Sequence, residues 1–477
     1  MLAAALPRII CALKLYNPDP DAYEYIETVT WMRAHLVGGR FSVRDLAGFW
    51  FPLYQFICAC ISLPFNHPAY VTRFFSAACG AAESLVVFWL AKELTGRRGV
   101  ALAAFALVAF NPLHVLYSSY AMTEAPFGFF ATASLYLLVK KRWTASAVMA
   151  TAAGLIRVDA WILIPLIPAL QYVAERRIDI RSCLALLAGP LICLSLYWSA
   201  TGDALQYFHA RAMYVRGVIA AQSELTEFSV RRIVSDAHRF FYSANPVIVV
   251  GCLCALYGIL CGCRPARALD PHRSQPDLFG QLAACAFYFA FLLFLIAAYL
   301  TNSQPQIWTR YGLIFLAIGA PIAAGALTSS LAGRTRRAVA CSAVTVCLVL
   351  AAVQLTDAIA YARETPLQLA ILDPLRLERL RAPERRILCD DPATRVLSGL
   401  PAETFVTSSD LAHEQDQSSS GPDRLDIGIV VTRSPQSSVP SDPPRGIEGN
   451  LGKLGLEEIC HSGPTSAGAG LWLYRVK

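Results

Sequence analysis

The feature that most constrains this chain is a succession of long apolar runs separated by short charged connections. The runs occupy roughly residues 2–16, 49–65, 69–91, 99–117, 125–139, 144–156, 158–174, 182–200, 245–263, 280–300, 310–330 and 338–356. Within a bilayer only a helix or a closed barrel satisfies every backbone N–H and C=O, so uncharged runs of about 18 residues are the mark of membrane-crossing helices. Composition agrees, with 55% of 477 residues hydrophobic and 16% charged, against about one-quarter charged in soluble domains. The excess apolar surface needs lipid, and the chain reads as an all-α polytopic protein of the cell or inner membrane.

Basic residues give the runs a direction. Lys92, Arg97 and Arg98; Lys140, Lys141 and Arg142; Arg176, Arg177 and Arg181; Arg264, Arg267 and Arg273; and Arg334, Arg336 and Arg337 fall in five connections, which the positive-inside rule places in the cytoplasm. The connections around 117–124 and 301–309 contain no Lys or Arg and read as external. Counting back from Lys92 leaves 49–65 on the outer face, and Trp50, Phe51, Tyr54 and Gln55 suit an interfacial helix. The expectation is about eleven crossings, with the N-terminus inside and the C-terminus outside. Arg8 and Lys14 lie within the first run, against a cleavable signal, and this short run reads as a tilted helix or one lacking part of its start. The external loop at about 201–244 carries Arg211, Arg216, Arg231, Arg232 and Arg239. Long loops cross regardless of charge, and a basic one suits an anionic ligand. The net charge of +7 is thus a matter of loop distribution, and no nucleic-acid partner is expected.

Beyond Ile359 the sequence turns charged, Pro-rich and Ser-rich, with β-like runs at 387–389, 404–407, 427–432, 458–460 and 471–476. This divides the chain into a membrane domain, 1–356, and a small soluble α/β domain, 357–477, on the extracytoplasmic side. Most of the fifteen cysteines lie in apolar runs and read as packing residues. Cys252, Cys254, Cys261 and Cys263 invite a zinc reading, but residues two apart on one helix do not face each other. Cys389 and Cys460 are the disulfide candidates.

Three places carry ionisable groups suited to chemistry. Where the chain leaves the first run, Asp19, Asp21, Glu24 and Glu27 follow one another; Asp19 and Asp21 suit either acid–base work or the capping of a helix at about 23–36. Glu124 precedes Pro126 and reads as a helix start or a second external acid. Arg157 and Asp159 lie between two apolar runs, where ionisable groups are costly and functional by default, although the two also suit a mutual pair. Arg310 follows Trp308, as an aromatic-belt anchor or a ligand.

The Asp-containing run with Tyr25 and Glu27, the Pro52 segment, Arg73, the stretch 117–126, Gly154-Leu155-Ile156-Arg157-Val158-Asp159 and Arg310-Tyr311 come in an order that resembles the GT-C-fold glycosyltransferases using polyprenyl-phosphate sugars. The resemblance is to family 39, which includes protein O-mannosyltransferases and aminoarabinose transferases, and it covers about residues 7–330. It implies an inverting hexosyl- or pentosyltransferase of the cell envelope, working on the extracytoplasmic face with a protein, lipid or glycan acceptor. It implies Asp21 as the catalytic acid, with Asp19 as the alternative, since Ala22 follows Asp21 where members often have two adjacent acids. Glu124 joins them. Arg73, Arg157, Arg211, Arg216 and Arg310, with Tyr311, are the groups expected to hold the departing lipid phosphate. His35, His67, His114, His209 and His238 show no metal-ligand spacing; a divalent cation, Mg or Mn, would use Asp19, Asp21 or Glu124 with waters. The rival readings are a transporter or flippase for a lipid-linked or anionic substrate, and an inactive membrane scaffold.

Overall fold

The computed structural model of the chain describes residues 1–15, 19–221, 230–260, 278–301, 307–329 and 333–363, and in the C-terminal region 374–376, 378–379, 385–389, 392–398, 400, 404–406, 427–433, 456–461 and 471–476. Contacts divide the chain into two compact units, Met1–Lys14 with Met32–Ile359, and Leu15–Trp31 with Ala360–Lys477.

The helices are α1 (Leu2–Lys14), α2 (Pro20–Val37), α3 (Pro52–Ile61), α4 (Pro68–Thr95), α5 (Arg98–Ala109), α6 (Pro112–Ser119), α7 (Glu124–Val139), α8 (Trp143–Gly154), α9 (Leu163–Glu175), α10 (Ile180–Thr201), α11 (Gln206–Ala221), α12 (Val230–Ala244), α13 (Pro246–Leu260), α14 (Leu278–Leu300), α15 (Gly312–Ser329) and α16 (Gly333–Arg363). Proline opens α3, α4 and α6, where its missing N–H costs nothing and its fixed φ already matches the helix. Gly96 and Gly202 close α4 and α10 with φ of +65° and +76°, the left-handed stop that glycine takes without strain.

Among the described residues six helices are long and apolar enough to cross a membrane: Pro68–Thr95, Val158–Glu175, Ile180–Thr201, Leu278–Leu300, Thr309–Ala326 and Ser342–Ile359. Two bent pairs, α5 with α6 at 55° and α12 with α13 at 86°, raise the number to eight if each is one span. Among the described residues six to eight helices thus pass this test of length and composition, against the expectation of about eleven crossings. The difference comes from runs that break or stop early: α1, α7 and α8 have 13, 16 and 12 residues, and the run at 99–117 is cut at Asn111-Pro112, where Asn111 caps α6 by accepting the His114 N–H. At ten residues, α3 is too short to cross.

In the first unit, Phe51, Cys193, Tyr197 and Tyr207 form a buried cluster with Leu155, Val158 and Trp161 packed against it. It joins the start of α3 to α10, α11 and the 3₁₀ turn Val158–Ile162, and the Tyr197 hydroxyl donates to the Gly48 carbonyl at 3.0 Å. This packing matters for function because it fixes the segment that carries Arg157 and Asp159.

In the second unit, strands β1 (Arg386–Cys389), β2 (Phe405–Val406), β3 (Ile427–Arg433), β4 (Leu456–His461) and β5 (Leu471–Val476) form one sheet in the order β2-β1-β3-β5-β4. β1 runs parallel to β2 and β3, while β5 is antiparallel to β3 and β4. Ile387, Cys389, Ile429, Val431 and Leu473 bury one face with Leu375, the every-second-residue pattern of a half-covered sheet. α17 (Pro392–Ser398) follows β1. The sheet order rules out the disulfide: Cys389 on β1 is three strand spacings, about 14 Å, from β4 and Cys460, a bridge needs α-carbons within about 7 Å, and Cys389 is a free thiol. On α13, Cys252 is buried and Cys254 exposed, as helix geometry requires of residues two apart, and Cys261 and Cys263 lie outside the described residues.

Candidate active site

Four separate segments of the first unit bring charge to one place. Glu124 is the first residue of α7, where the helix dipole favours a carboxylate. α8 ends at Gly154, whose carbonyl accepts the Trp161 indole N–H at 3.2 Å, and the tightened chain then presents Arg157 and Asp159. The 3₁₀ turn Thr309–Tyr311 ahead of α15 carries Arg310 and Tyr311, and Arg211 comes from α11.

Arg157 holds two carboxylates at once, with Nη1 3.1 Å from Glu124 Oε1 and Nε 2.7 Å from Asp159 Oδ2. Arg310 Nε lies 3.5 Å from the same Glu124 oxygen. The Tyr311 ring lies 5.4 Å from the Arg157 guanidinium and 5.9 Å from that of Arg310, and Phe127 faces Arg157 at 5.6 Å. Arg211 meets the fields of Tyr207, Tyr311 and Asp159; burial works against its charge, but these neighbours outweigh it and raise its pKa, while burial pushes the Tyr207 phenol up. The side chain of Glu124 is only 8% exposed, and its Oε2 has no hydrogen-bond partner among the described residues.

Arg157 and Arg310 share Glu124 while Arg157 also holds Asp159, and Arg211 feels the same carboxylate field, so guanidinium groups gather in a partly buried, aromatic-walled place. Partial burial weakens solvent screening, so such a cluster attracts an anion far more strongly than surface arginines do. The paired-ion reading of Arg157 with Asp159 is what the geometry shows, and the carboxylates orient the guanidinium groups.

A second group sits deeper. Glu83, in the middle of α4, accepts from His114 Nε2 at 2.9 Å, and His114 Nδ1 faces Arg8 Nη2 at 2.7 Å. A guanidinium only donates, so Nδ1 accepts and the imidazole proton sits on Nε2, shared with Glu83. Arg8 also donates to the Ala4 and Ala109 carbonyls at 2.6 and 2.9 Å, and Thr132 approaches Glu83 at 3.4 Å. Glu83, His114, Ser118, Glu124 and Gly128 share the lining of one small cavity of about 10 Å³, room for one water. Sequence reasoning passed over Glu83 because it looked for acids at helix ends, yet a carboxylate inside a 28-residue apolar helix was itself the signal.

The remaining sequence candidates are placed differently. Arg73 is buried, donating to the carbonyls of Ser119 at 3.1 Å and Cys11 at 3.2 Å, so it ties α4 to the ends of α6 and α1. Arg216 is exposed on α11; five residues after Arg211, it points about 140° away around the helix. In the second unit, Asp19 Oδ1 accepts the backbone N–H of Asp21 at 3.1 Å, which is the capping role at the start of α2, and Asp21 is half-buried in the first turn. Among the described residues no group of three His, Cys, Asp or Glu side chains could hold a metal ion, and the two guanidinium groups on Glu124 make it a poor cation ligand.

Residues 28–156 match the family described as dolichyl-phosphate-mannose-protein mannosyltransferase. An undecaprenyl phosphate-α-4-amino-4-deoxy-L-arabinose arabinosyl transferase of Pectobacterium carotovorum is 24% identical over 331 residues, 62% of this chain and 57% of that protein. An uncharacterised Aquifex aeolicus protein is 37% identical over 65 residues, so the chain spans only 13% of that relative's length and little over half of the arabinosyl transferase's. Among solved structures, ArnT from Cupriavidus metallidurans in the apo state superposes with a TM-score of 0.58 over 98% of this chain and 96% of that one, at 12% identity. The oligosaccharyltransferase of Archaeoglobus fulgidus gives 0.53 over 90% and 69%, also at 12% identity. The chain has the GT-C fold. The fold likeness extends over the C-terminal residues as well as the helices, and the mannosyltransferase match covers the segment from α2 to just before Arg157. An integral membrane protein of GT-C fold is thus established by the apolar helices and the fold together.

Proposed function

We propose that the chain is an inverting glycosyltransferase that moves a sugar from a polyprenyl-phosphate donor to an acceptor hydroxyl on the extracytoplasmic face of the membrane. The observation that supports this reading is the clustering of Arg157 and Arg310 on buried Glu124, beside Tyr311, in a chain of GT-C fold. The similar arabinosyl transferase is named for an undecaprenyl phosphate donor, and ArnT has been seen bound to undecaprenyl phosphate.

In this reading Asp21 removes the proton from the acceptor hydroxyl as its oxygen attacks the anomeric carbon; the bond from that carbon to the phosphate oxygen breaks, and configuration inverts. Asp19 accepts the N–H of Asp21 as a helix cap, which supports Asp21 as the base with Asp19 as the alternative. The lipid phosphate departs as an anion and needs no proton. Arg157, Arg310 and Arg211 stabilise it, with the Tyr311 ring beside the first two and Glu124 bridging them. A divalent cation at this enzyme, Mg or Mn, would take Asp21 and water as ligands. The sugar is a hexose or pentose, and the acceptor a protein, lipid or glycan. The matches give no support to a transporter.

The test is Arg157→Ala in the purified chain. We expect kcat/KM for a polyprenyl-phosphate sugar to fall by about 10²–10³, with the protein still extracted and eluting as the wild type does. An unchanged kcat/KM would remove the cluster from the reaction.

A further inference from the structure

The helix that carries Asp21 is held by a residue of the C-terminal region. Leu15–Trp31 and Ala360–Lys477 form one compact unit, and within it Arg395 of α17 makes a two-point fork onto Glu27, with Nε 2.7 Å from Oε1 and Nη2 2.5 Å from Oε2. Glu24 is the outer partner, 3.9 Å from Nη2. The remaining arm is bolted to the sheet, since Nη1 donates to the Cys389 carbonyl at the end of β1 at 2.8 Å. The Arg395 side chain is 8% exposed, so this is a dry, fully used guanidinium. A bidentate fork fixes direction as well as distance, which a lone surface ion pair does not.

Asp21, Glu24 and Glu27 follow at three-residue spacing on α2, so each neighbours the next while Asp21 and Glu27 stand about 120° apart on the same rigid helix. We infer that Arg395 is a positioning residue, a clamp through which the C-terminal sheet sets the rotation of α2 and so the aim of the Asp21 carboxylate. A carboxylate stands about 6 Å from its helix axis, so a rotation of roughly 20° moves it about 2 Å, and a misplacement of about 1 Å at a reacting group costs about 10²-fold. The C-terminal region then takes part in positioning the proposed base, which lies in the same compact unit. The inference rests on the reading of Asp21 as the base.

The experiment compares the full-length chain with Arg395→Ala, Arg395→Lys, Arg395→Glu, Glu27→Arg and the double charge exchange, measuring sugar transfer together with the mobility of a nitroxide on a cysteine at exposed Thr30. We expect Arg395→Ala to lower kcat about 100-fold with the donor KM within about twofold, Arg395→Lys to lose about tenfold because an ammonium cannot fork, and both charge reversals to lose at least as much as the alanine variant. The exchange should restore kcat to within about tenfold of wild type and re-immobilise the label, which excludes simple misfolding. An unchanged kcat in Arg395→Ala beside a lost kcat in Asp21→Asn would overturn the clamp and leave the transferase reading intact. Failure of the wild type to transfer sugar from any donor would remove that reading and the catalytic half of this one, and a label still immobile in Arg395→Ala would remove the rest.

Discussion

Glu124 illustrates how one buried carboxylate serves both stability and chemistry. It faces Arg157 at 3.1 Å and Arg310 at 3.5 Å, so Glu124→Ala would leave two guanidinium groups without their shared counter-charge. Removing one partner of a buried pair costs about 3–5 kcal/mol, and we expect Glu124→Ala to show that loss as a lower midpoint of thermal unfolding in detergent. Glu124→Gln keeps an acceptor oxygen, so its destabilisation should be smaller and its main effect should fall on the donor KM. Equal destabilisation by both variants would mean that the charge is not what the arginines need. Much of this was legible in the sequence: Glu124, Arg157, Asp159, Arg211, Arg310 and Tyr311 were readable as candidates because ionisable groups near apolar runs stand out. What could not be read was the partnership, since Arg157 and Glu124 are 33 residues apart and only packing brings them together. Arg73 has the same sequence signature and bonds the backbone carbonyls of Ser119 and Cys11, a contact that charge and spacing do not reveal.

At the level of elements, apolar periodicity locates helices well and their breaks poorly. The five strands of the C-terminal sheet and the start of α15 fall within a few residues of their expected places because alternation and an aromatic-arginine boundary are local signals. The cut at Asn111-Pro112 was also written in the sequence, as a capping residue followed by a proline, but it was submerged in a long apolar run. Close helix packing gives a further test. A methyl group on Gly128 of α7 would run into the Glu83 carboxylate of α4, which His114 already holds at 2.9 Å. Gly128→Ala should therefore destabilise the fold by about 1–3 kcal/mol, measurable as a lower unfolding midpoint. If Glu83 instead has room to swing away, Gly128→Ala will unfold at the wild-type temperature.

For the whole molecule, the GT-C fold and the apolar helices make an integral membrane protein, and the distribution of lysine and arginine predicts its orientation. α4 has 28 residues, about 42 Å of helix, enough to carry its ends to opposite faces. Single cysteines replacing exposed Asn66 and Lys92, in a background without other reactive thiols, should label from outside and from inside respectively with a membrane-impermeant maleimide. Labelling of both from one side would reverse or void the topology. Lipid-facing and buried apolar helices look alike in composition, so apolar runs locate α7 and α8 without saying whether helices of 16 and 12 residues cross.

The most direct test of the central claim is transfer itself. The purified full-length chain, given a panel of radiolabelled polyprenyl-phosphate sugars and hydroxyl acceptors, should release free polyprenyl phosphate and form a glycoside of inverted configuration, and Asp21→Asn should abolish both. Movement of intact lipid-linked sugar across a bilayer with no glycoside formed, or no reaction with any donor in the panel, would contradict it.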